Sequence, residues 1–394
     1  MEIKRNKYLE LLANKKNNGL IKILIGTRKV GKTTILRQFA TLHLKNEVVH
    51  TYDFNVYENQ NKYRDLDYFN QEILNKLVKD KMNYLFFDEI QEITGWEKII
   101  NSISLLKNID IYITGSNSKL LSSEISTLLT GKNAKIYVYP LSFKEYYDFK
   151  NSNEKEKVFQ EYIEFGAMPK CCLTEKKSEK NEYLRMLFSD VINNDIINRY
   201  KILDIKEFHN IFYFLMENIG TELSINKIGN IIRQKDKSVI SNNTISNYIE
   251  YLCNCFLCSK INKINIKGKT VLETNYKIYA YDVGIRNSFI SSFSFNRGKL
   301  LENLVYIELL RNGYEVNVGQ DRFIPEVDFV AKKNNEYIYI QVCENLNENN
   351  QANEIGNLLK IKDGRKLFIS KDYFNKFENG IQMINIIEWL LIEK

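Results

Sequence analysis

The 394-residue sequence has no long hydrophobic run. A helix that crosses a membrane needs about 18 or more consecutive apolar residues, and no stretch of the chain approaches that length. The N-terminal segment MEIKRNKYLELL predicts an amphipathic helix and lacks the apolar core of a signal peptide. The sequence therefore predicts a protein without membrane segments, and the cytoplasm is its expected compartment.

Cysteine, histidine and proline are all scarce, with six, three and three residues. Cys253, Cys255 and Cys258 form a C-x-C-x-x-C pattern, but no fourth ligand or pair of histidines lies nearby in the sequence. They belong to the apolar stretch YIEYLCNCFLCSKI, where reduced cysteine packs as a small hydrophobic residue. This pattern favours core packing over a zinc or iron–sulfur site.

Hydrophobic residues make up 44% of the chain and charged residues 27%, which excludes a disordered protein. The length suits two or three domains. The net charge is +7, and between residues 230 and 300 eleven Lys or Arg stand against four Asp or Glu, so this segment carries the whole excess. Such a confined excess favours a nucleic-acid-binding surface over a merely solvated face.

The segment LIKILIGTRKVGKTTILRQF carries the pattern G-x-x-x-x-G-K-T after a strand-like run and before a helical pattern, as a P-loop requires. Its backbone N–H groups would surround the β-phosphate at a helix N-terminus, Lys32 would contact the β- and γ-phosphates, and Thr33 would bind Mg²⁺. ATP and Mg²⁺ are thus the expected ligands. The predicted nucleotide-binding residues here are Gly26, Thr27, Arg28, Lys29, Val30, Gly31, Lys32, Thr33 and Thr34.

The segment NYLFFDEIQEITGW predicts a buried strand that ends in Asp88 and Glu89, as in a Walker B strand. Asp88 would hold Mg²⁺ through water, and Glu89 would orient and deprotonate the attacking water. Lys32 and Glu89 are therefore the predicted catalytic residues.

Strand-like runs at 48–54, 109–116 and 134–141 alternate with helical stretches, which predicts a parallel sheet covered on both faces. The ends of such strands gather a site at one edge. Thr114, Ser116 and Asn117 lie at the end of one strand and are predicted to sense the γ-phosphate, with Ser116 and Asn117 as further nucleotide-binding residues. Ordinary turn chemistry explains the same Gly-Ser-Asn run equally well.

Several segments together resemble a known family. GTRKVGKTT, LFFDEIQEITGWEKII, ITGSNSKLLSSEISTLLTGK, YPLSFKEYY and FGAMPK are similar to motifs of an AAA-type ATPase family of archaea and bacteria. Its members join this ATPase to a C-terminal winged-helix and restriction-endonuclease-like region of unknown function. The chain departs from the family at Gly131-Lys132, where the family commonly has Gly-Arg, because lysine lacks the planar fork of arginine. Arg185 and Arg199 are other candidates for an arginine finger.

The resemblance implies an α/β chain in four parts. These are an N-terminal P-loop AAA-type ATPase domain (1–150), a helical lid or linker (151–205), a winged-helix domain (206–290) and a restriction-endonuclease-like α/β domain (291–394). Apolar residues at three- and four-residue spacing support the helical assignment of 151–205. Asp195 and Arg199 are predicted to form an i,i+4 ion pair on its surface.

Residues 206–290 predict three helices and then two strands around Gly268, the element order of a winged helix. A recognition helix presents its N-terminal residues to the major groove, and lysines of the hairpin would contact phosphates. Duplex DNA is the expected partner, and a protein partner stays open because winged helices also bind proteins. The predicted DNA-contacting residues are Asn243, Thr244 and Asn247 on the third helix and Lys263, Lys267 and Lys269 on the hairpin.

The C-terminal segments predict the helix–strand–strand–helix–strand order of a restriction-endonuclease-like core. In such nucleases a helix Glu, a strand Asp and an acid–x–Lys cluster bind Mg²⁺ and activate water. Glu302 and Asp328 match the first two positions, and Gln341 stands at the third acid. Cys343 stands where lysine is expected and cannot supply its positive charge. We therefore expect a degenerate, inactive metal site.

The expected function is Mg²⁺-dependent ATP binding and hydrolysis that controls a DNA-binding, nuclease-like module. Two alternatives remain. One is a slow ATP-gated switch that recruits DNA or a protein partner, and the other is an ATP-regulated, Mg²⁺-dependent DNA nuclease. The sequence does not determine the oligomeric state.

Overall fold

The computed structural model describes residues 2–117, 120, 132–236, 239–290 and 297–392. The chain forms two compact units, one of Met1–Val138 with Asn254–Phe256 and the other of Tyr139–Cys253 with Leu257–Lys394. Within the ranges that the structure describes, no helix is both long enough and apolar enough to cross a membrane.

The first unit is built on a parallel sheet. Its strands are β1 (Ile21–Ile25), β2 (Val48–Asp53), β3 (Asn83–Asp88), β4 (Ile109–Gly115) and β5 (Asn133–Tyr137). Its described helices are α1 (Asn6–Lys15), α2 (Lys32–His43), α3 (Tyr57–Lys62), α4 (Leu66–Lys76) and α5 (Trp96–Ile103). The five described strands lie in the order β2-β3-β4-β1-β5, and every pair is parallel. The predicted parallel sheet is therefore confirmed.

The central strands are apolar because helices cover both faces of a parallel sheet. Every residue of β1 and β3 is buried. Lys22 in β1 and Asp88 in β3 are the charged residues of these two strands, and the Lys22 ammonium forms a buried ion pair with Asp110 on the neighbouring β4. The Tyr112 hydroxyl donates to the same carboxylate at 2.8 Å. A buried charge needs such a partner, so this pair supports the alignment of β1 with β4.

The first part of the second unit is helical. Its helices are α6 (Phe143–Lys150), α7 (Lys155–Phe165), α8 (Pro169–Leu173), α9 (Lys177–Asp190), a π-helical segment (Val191–Ile197), α10 (Asn198–Tyr200), α11 (Ile205–Glu217), α12 (Ile225–Asp236) and α13 (Asn242–Asn254). Asp195 lies in the π-helical segment and is 3% exposed. The predicted surface position of Asp195 is therefore wrong, because the wider π-helical turn carries its side chain into the interior.

The rest of the second unit forms a mixed sheet with four further helices. Its strands are β6 (Cys258–Asn265), β7 (Val271–Ala280), β8 (Glu315–Asp321), β9 (Ile324–Lys333), β10 (Glu336–Val342), β11 (Arg365–Ser370), β12 (Asn375–Glu378) and β13 (Ile381–Asn385). Its helices are α14 (Val283–Asn287), α15 (Arg297–Arg311), α16 (Glu348–Leu359) and α17 (Ile386–Leu391). The eight described strands run in the order β12-β13-β11-β10-β9-β8-β6-β7.

The β6–β7 hairpin continues this sheet. β6 pairs in parallel with β8, with Lys263 opposite Val318 and Asn265 opposite Gln320. The three helices and the hairpin occur in the order expected from the sequence. However, the hairpin shares one sheet with the C-terminal strands instead of standing apart from them, because one of its edges is hydrogen-bonded to β8.

The FGAMPK segment packs tightly against the segment after β7. A Cβ on Gly284 would lie 2.0 Å from the carbonyl oxygen of Phe165, and one on Gly166 would lie 2.2 Å from Asp282. The Asp282 carboxylate accepts a hydrogen bond from the backbone N–H of Ala167 at 2.7 Å. Burial raises the pKa of Asp282 to about 6, although the backbone donors around it oppose that shift. Two backbones thus meet here at a distance that only glycine permits.

Replacing Gly284 with alanine is expected to lower the free energy of unfolding by about 2–3 kcal/mol, since the added methyl group overlaps the Phe165 carbonyl. The measurement is the urea denaturation midpoint. Gly356→Ala in α16 is the matched control, because a Cβ there meets nothing within 4 Å. Alanine in a helix interior is expected to be neutral or stabilising by about 0.5–1 kcal/mol. Equal midpoints for the two variants would contradict the packing argument.

Candidate nucleotide-binding and catalytic site

The P-loop joins β1 to α2 through a sharply bent backbone. Lys29 has a φ of 62° and Gly31 one of 103°, both in the left-handed region. Gly31 caps α2, so the residue type that adopts this conformation at low energy stands where the loop becomes helix. Gly26 starts the loop, and a Cβ on it would lie 2.1 Å from the Val138 carbonyl oxygen. Glycine is therefore required at both ends of the loop.

The Lys32 side chain is held between the P-loop and the end of β3. Its Nζ donates to the carbonyl oxygens of Gly26 at 3.0 Å and Thr27 at 3.2 Å. It also lies 3.2 Å from Glu89 Oε1 and is 4% exposed. The structure thus brings together the two residues predicted to be catalytic.

Asp88, the last residue of β3, collects donors from other elements. Thr33 Oγ1 lies 2.8 Å from Asp88 Oδ2, and the hydroxyl of Thr114 at the end of β4 donates to Oδ1. The Thr114 oxygen in turn accepts the backbone N–H of Glu89 at 3.0 Å. Asn55 Nδ2 adds a contact of 3.3 Å. Burial raises the pKa of Asp88, and the two threonine hydroxyls oppose that rise.

Glu89 follows β3 and has a φ of 53°, a backbone conformation that residues other than glycine seldom adopt. Its Oε2 accepts hydrogen bonds from the backbone N–H of Ser116 at 3.0 Å and from Gln91 Nε2 at 2.5 Å. Burial alone would raise the pKa of Glu89, but the Lys32 ammonium and these donors hold that pKa below its usual value. The carboxylate is therefore ionised near neutral pH, the form that a general base needs.

The structure separates the three polar residues at the end of β4. Only Thr114 reaches Asp88 with its side chain. Ser116 contributes its backbone N–H to Glu89, while Asn117 Nδ2 lies 3.7 Å from the Cys255 sulfur within the same unit. Thr114 was recognisable in the sequence by its place at a strand end, but its role is visible only when β3 and β4 are paired.

Arg5 is a residue of this region that the sequence analysis missed. Its guanidinium is 2% exposed and donates to the Val30 carbonyl oxygen at 3.2 Å. It also lies 4.7 Å from the centre of the Tyr8 ring. The segment before α1 thus supports the middle of the P-loop. In the sequence, the arginine was the one signal of this role within an ordinary amphipathic pattern.

The residues present fit Mg²⁺ and a nucleotide. Thr27 Oγ1 and Ser116 Oγ are buried, and neither has a hydrogen-bond partner in the part of the chain that the structure describes. Such unsatisfied buried hydroxyls are rare, which points to a partner outside the chain. The first turn of α2 is an anion site of the usual helix N-terminal type. The Thr33 side chain is exposed beside Asp88, and both carry the oxygen ligands that Mg²⁺ prefers.

Comparison with known families agrees with this geometry. A family model described as an AAA domain matches residues 18–147, and one described as a domain of unknown function, DUF8612, matches residues 156–295. The P-loop, the acidic end of β3 and the strand order together define the N-terminal part as a P-loop ATPase domain of the AAA type.

Two relatives extend the similarity to almost the entire chain. An uncharacterized protein of Haemophilus influenzae is 36% identical over 400 residues, covering 99% of this chain and 98% of the relative. The uncharacterized protein MJ1544 of Methanocaldococcus jannaschii is 35% identical over 367 residues, covering 90% and 80%. The chain belongs to the family of these two proteins.

Solved structures show a more distant similarity. The Walker-type ATPase PABY2304 of Pyrococcus abyssi is 14% identical, with a TM-score of 0.48 over 73% of this chain and 95% of that chain. The RuvB Holliday junction branch migration motor of Thermotoga maritima is 16% identical, with a TM-score of 0.33 over 66% and 90%. At this level of similarity neither structure assigns an activity.

The residues of the second predicted metal site also lie together, in the second unit. Glu302 on α15 and Asp328 on β9 are 4% and 3% exposed. Gln341 Oε1 on β10 lies 3.4 Å from the backbone N of Asp328. Lys277 on β7 lies between the carboxylates, with its Nζ 3.8 Å from Glu302, 3.8 Å from Asp328 and 2.7 Å from Glu326. The positive charge that Cys343 cannot supply thus comes from another strand.

The oxygens of the buried carboxylates already have partners within the chain. Glu302 Oε1 lies 2.5 Å from Lys299 Nζ, and Oε2 accepts from the Tyr279 hydroxyl at 3.0 Å. Asp328 Oδ2 accepts the backbone N–H of Val342 at 2.9 Å. Burial and the nearby Glu302 raise the pKa of Asp328 to about 7. Among the described residues no group of three or more His, Cys, Asp or Glu side chains is placed to hold a metal ion. Three of the four oxygens of Glu302 and Asp328 thus already have partners within the chain.

The predicted DNA-contacting residues of α13 differ in accessibility. Asn243 and Asn247 are exposed one turn apart, on one face of the helix. Thr244 is half-buried, and its hydroxyl lies 2.9 Å from the Ser241 hydroxyl that caps the helix. Asn243 and Asn247 are therefore the accessible members of the predicted set.

The three predicted lysines of the hairpin are not equivalent. Lys263 is 4% exposed and is ion-paired with Glu222 and Glu326. Its predicted contact with a DNA phosphate is wrong, because β6 turns this side chain into the unit. Lys267 and Lys269 lie at the exposed end of the hairpin.

Replacing Lys277 with methionine is expected to lower the free energy of unfolding by about 3–5 kcal/mol, because buried carboxylates lose their counter-ion. The variant is also expected to gain affinity for Mn²⁺, seen as a rise in Tm on adding the metal, whereas the chain with Lys277 gains none. All chains carry Asp88→Asn, so that the P-loop does not contribute. Lys376→Met is the control, because that lysine is 52% exposed on β12 of the same sheet and does not contact Glu302 or Asp328. Equal Mn²⁺ responses with and without Lys277 would contradict its counter-ion role.

Proposed function

We propose that the protein binds and hydrolyses ATP with Mg²⁺, and that the nucleotide state controls a DNA-binding module in the second unit. The observation that carries the ATPase part is the position of the Glu89 carboxylate, held beside Asp88 by Lys32, Gln91 and the backbone N–H of Ser116. This carboxylate stands next to the P-loop with the charge state of a general base.

The chain's own contacts suggest how the site responds to a nucleotide. Lys32 pairs with Glu89 and two loop carbonyls. A phosphate group would compete for this ammonium and leave the Glu89 carboxylate with Gln91 and the Ser116 N–H, ready to accept a proton from water. Thr33 and Asp88 would hold Mg²⁺, which when bound neutralises phosphate charge. Thr114 would hold the Asp88 carboxylate and the Glu89 backbone in fixed positions relative to each other.

Glu89→Gln is expected to lower the rate of ATP hydrolysis about 10²- to 10⁴-fold, because the amide keeps the shape of the side chain but cannot accept the proton. ATP affinity is expected to stay within a few-fold. The measurements are steady-state phosphate release and titration with a fluorescent ATP analogue. In the control Lys32→Ala, binding itself is expected to be lost.

Unchanged turnover of the Glu89→Gln variant would refute the assignment of the base. A slow ATP-gated switch that recruits DNA or a protein is the alternative function, and it predicts negligible turnover by the unaltered chain.

The DNA-binding part of the proposal has its support in α13. The elements α11, α12, α13, β6 and β7 follow the order of a winged helix, and Asn243 and Asn247 are exposed on the third helix. Amide side chains in this position can pair with base edges in a major groove. We propose α13 as the recognition helix.

Affinity for duplex DNA is expected to fall steeply with salt concentration, because lysine–phosphate contacts release counterions. The double variant Asn243→Ala/Asn247→Ala is expected to weaken sequence-selective binding by about 30-fold or more, since two base contacts of about 1–3 kcal/mol each are lost. The readout is fluorescence anisotropy of a labelled duplex. Asn61→Ala, an exposed asparagine of α3, is the control. A flat salt response would favour a protein partner instead.

For the buried cluster around Lys277 we propose a structural role without nuclease activity, since its carboxylate oxygens are already bonded within the chain. An ATP-regulated, Mg²⁺-dependent nuclease is the alternative. Cleavage of plasmid DNA by the unaltered chain, lost in Asp328→Ala, would establish that alternative and overturn the structural role.

A further inference from the structure

A cavity of about 950 Å³ opens in the second unit beside the turns that join β8 to β9 and β9 to β10. The tip of the β6–β7 hairpin forms one wall, and the turn between α16 and β11 forms another. Its volume lies in the range of small-molecule sites, roughly 300–1,000 Å³. The residues that line it belong neither to α13 nor to the Lys277 cluster. Of the lining residues, the sequence assigned only Lys267 and Lys269 to a ligand, as contacts of duplex DNA phosphates.

The lining has an excess of positive charge, with five basic side chains against three acidic ones. Lys267 is 3.2 Å from Asp321, so one acid is already neutralised within the lining. Two of these lysines are the exposed ones of the hairpin, which the sequence predicted to contact phosphates. The excess favours an anionic ligand. The basic residues are Lys267, Lys269, Lys360, Lys362 and Arg365.

Aromatic rings lie beside these cations. Lys269 Nζ is 4.2 Å from the centre of the Tyr337 ring and 4.9 Å from that of Tyr339. Lys267 Nζ is 5.0 Å from the centre of the Phe323 ring, and Phe323 is 63% exposed. Each ammonium thus lies over the face of a ring, which places a cation that can meet a phosphate next to an aromatic side chain.

We propose that this cavity binds single-stranded nucleic acid, with bases stacked on Phe323 and Tyr337 and the backbone phosphates on the lysines. Sites for single strands combine a basic groove with aromatic platforms, because every base has a face that can stack and every nucleotide carries a negative charge. The lining of this one cavity contains two such combinations of a ring and a lysine. They are Phe323 with Lys267 and Tyr337 with Lys269.

Base stacking on the rings distinguishes this ligand from a duplex. In a duplex the bases stack on one another, so their faces cannot reach Tyr337, and only the lysines would find partners. An acidic peptide would likewise use the charges and leave the rings unused. The site therefore discriminates for unpaired bases. It goes beyond the proposed duplex contact of α13 and needs no nucleotide in the P-loop.

The test uses the full chain without ATP and a fluorescently labelled oligothymidine, followed by anisotropy. Phe323→Ala is expected to weaken binding about tenfold, the effect of losing one stacked base. Phe323→Tyr is expected to keep the affinity, because it keeps the ring. Phe377→Ala is the matched control, since Phe377 is 75% exposed on β12 of the same sheet but outside the cavity.

A duplex of the same length, added as competitor, is expected to displace the oligothymidine from this site poorly. The proposal is overturned if Phe323→Ala binds as tightly as the unaltered chain, if Phe377→Ala weakens binding equally, or if the duplex competes as well as a single strand. Failure of duplex binding to α13, with a tenfold response of oligothymidine to Phe323→Ala, would instead sink the proposed duplex contact and support this site.

Discussion

The hydrogen bonds from Thr33 and Thr114 to Asp88 join the P-loop helix, β3 and β4 at one point. They depend on the strand order, in which β4 lies between β3 and the P-loop strand β1. Parallel strands end at the same edge, so that order places the end of β4 between the two motifs. A threonine there can support both acids at once. Two further contacts of the site follow from the same arrangement. Lys32 pairs with Glu89, and Glu89 accepts the backbone N–H of Ser116, directly after β4.

The P-loop site and the cluster around Lys277 both combine acids with a lysine, but they differ in which polar groups remain available to a ligand. In the P-loop site, Lys32 is shared with loop carbonyls, and the hydroxyls of Thr27 and Ser116 are buried with no partner among the described residues. An incoming phosphate therefore exchanges with existing contacts. Around Lys277, hydroxyl, ammonium and backbone donors already hold the carboxylates of Glu302 and Asp328. A metal ion there would compete with the Lys277 ammonium and these donors, so similar residue types offer different contacts to a ligand in the two clusters.

The parts of the fold that could be predicted from the sequence are those whose signal lies in one contiguous segment of the chain. The P-loop and the strand before it, and the apolar run before Asp88, need only local order to be recognised, and the parallel sheet follows from their alternation with helices. Residues whose roles depend on distant partners could not be found in this way. Lys277 acts on carboxylates of α15 and β9, and Lys263 is buried only because β6 pairs with β8. A positive charge in the sequence does not reveal whether it meets solvent or a buried acid. The need for glycine at position 284 likewise cannot be recognised in the sequence, because it arises only when the FGAMPK segment packs against this residue.

The central claim is that an ATP-hydrolysing site controls a DNA-binding module, and the coupling between the two is its most demanding part. The most direct measurement is the rate of ATP hydrolysis by the unaltered chain with and without saturating duplex DNA, at equal Mg²⁺ and salt. The account predicts a measurable rate that duplex DNA changes several-fold. A rate that is the same with and without DNA, in a preparation that demonstrably binds both ligands, would contradict it.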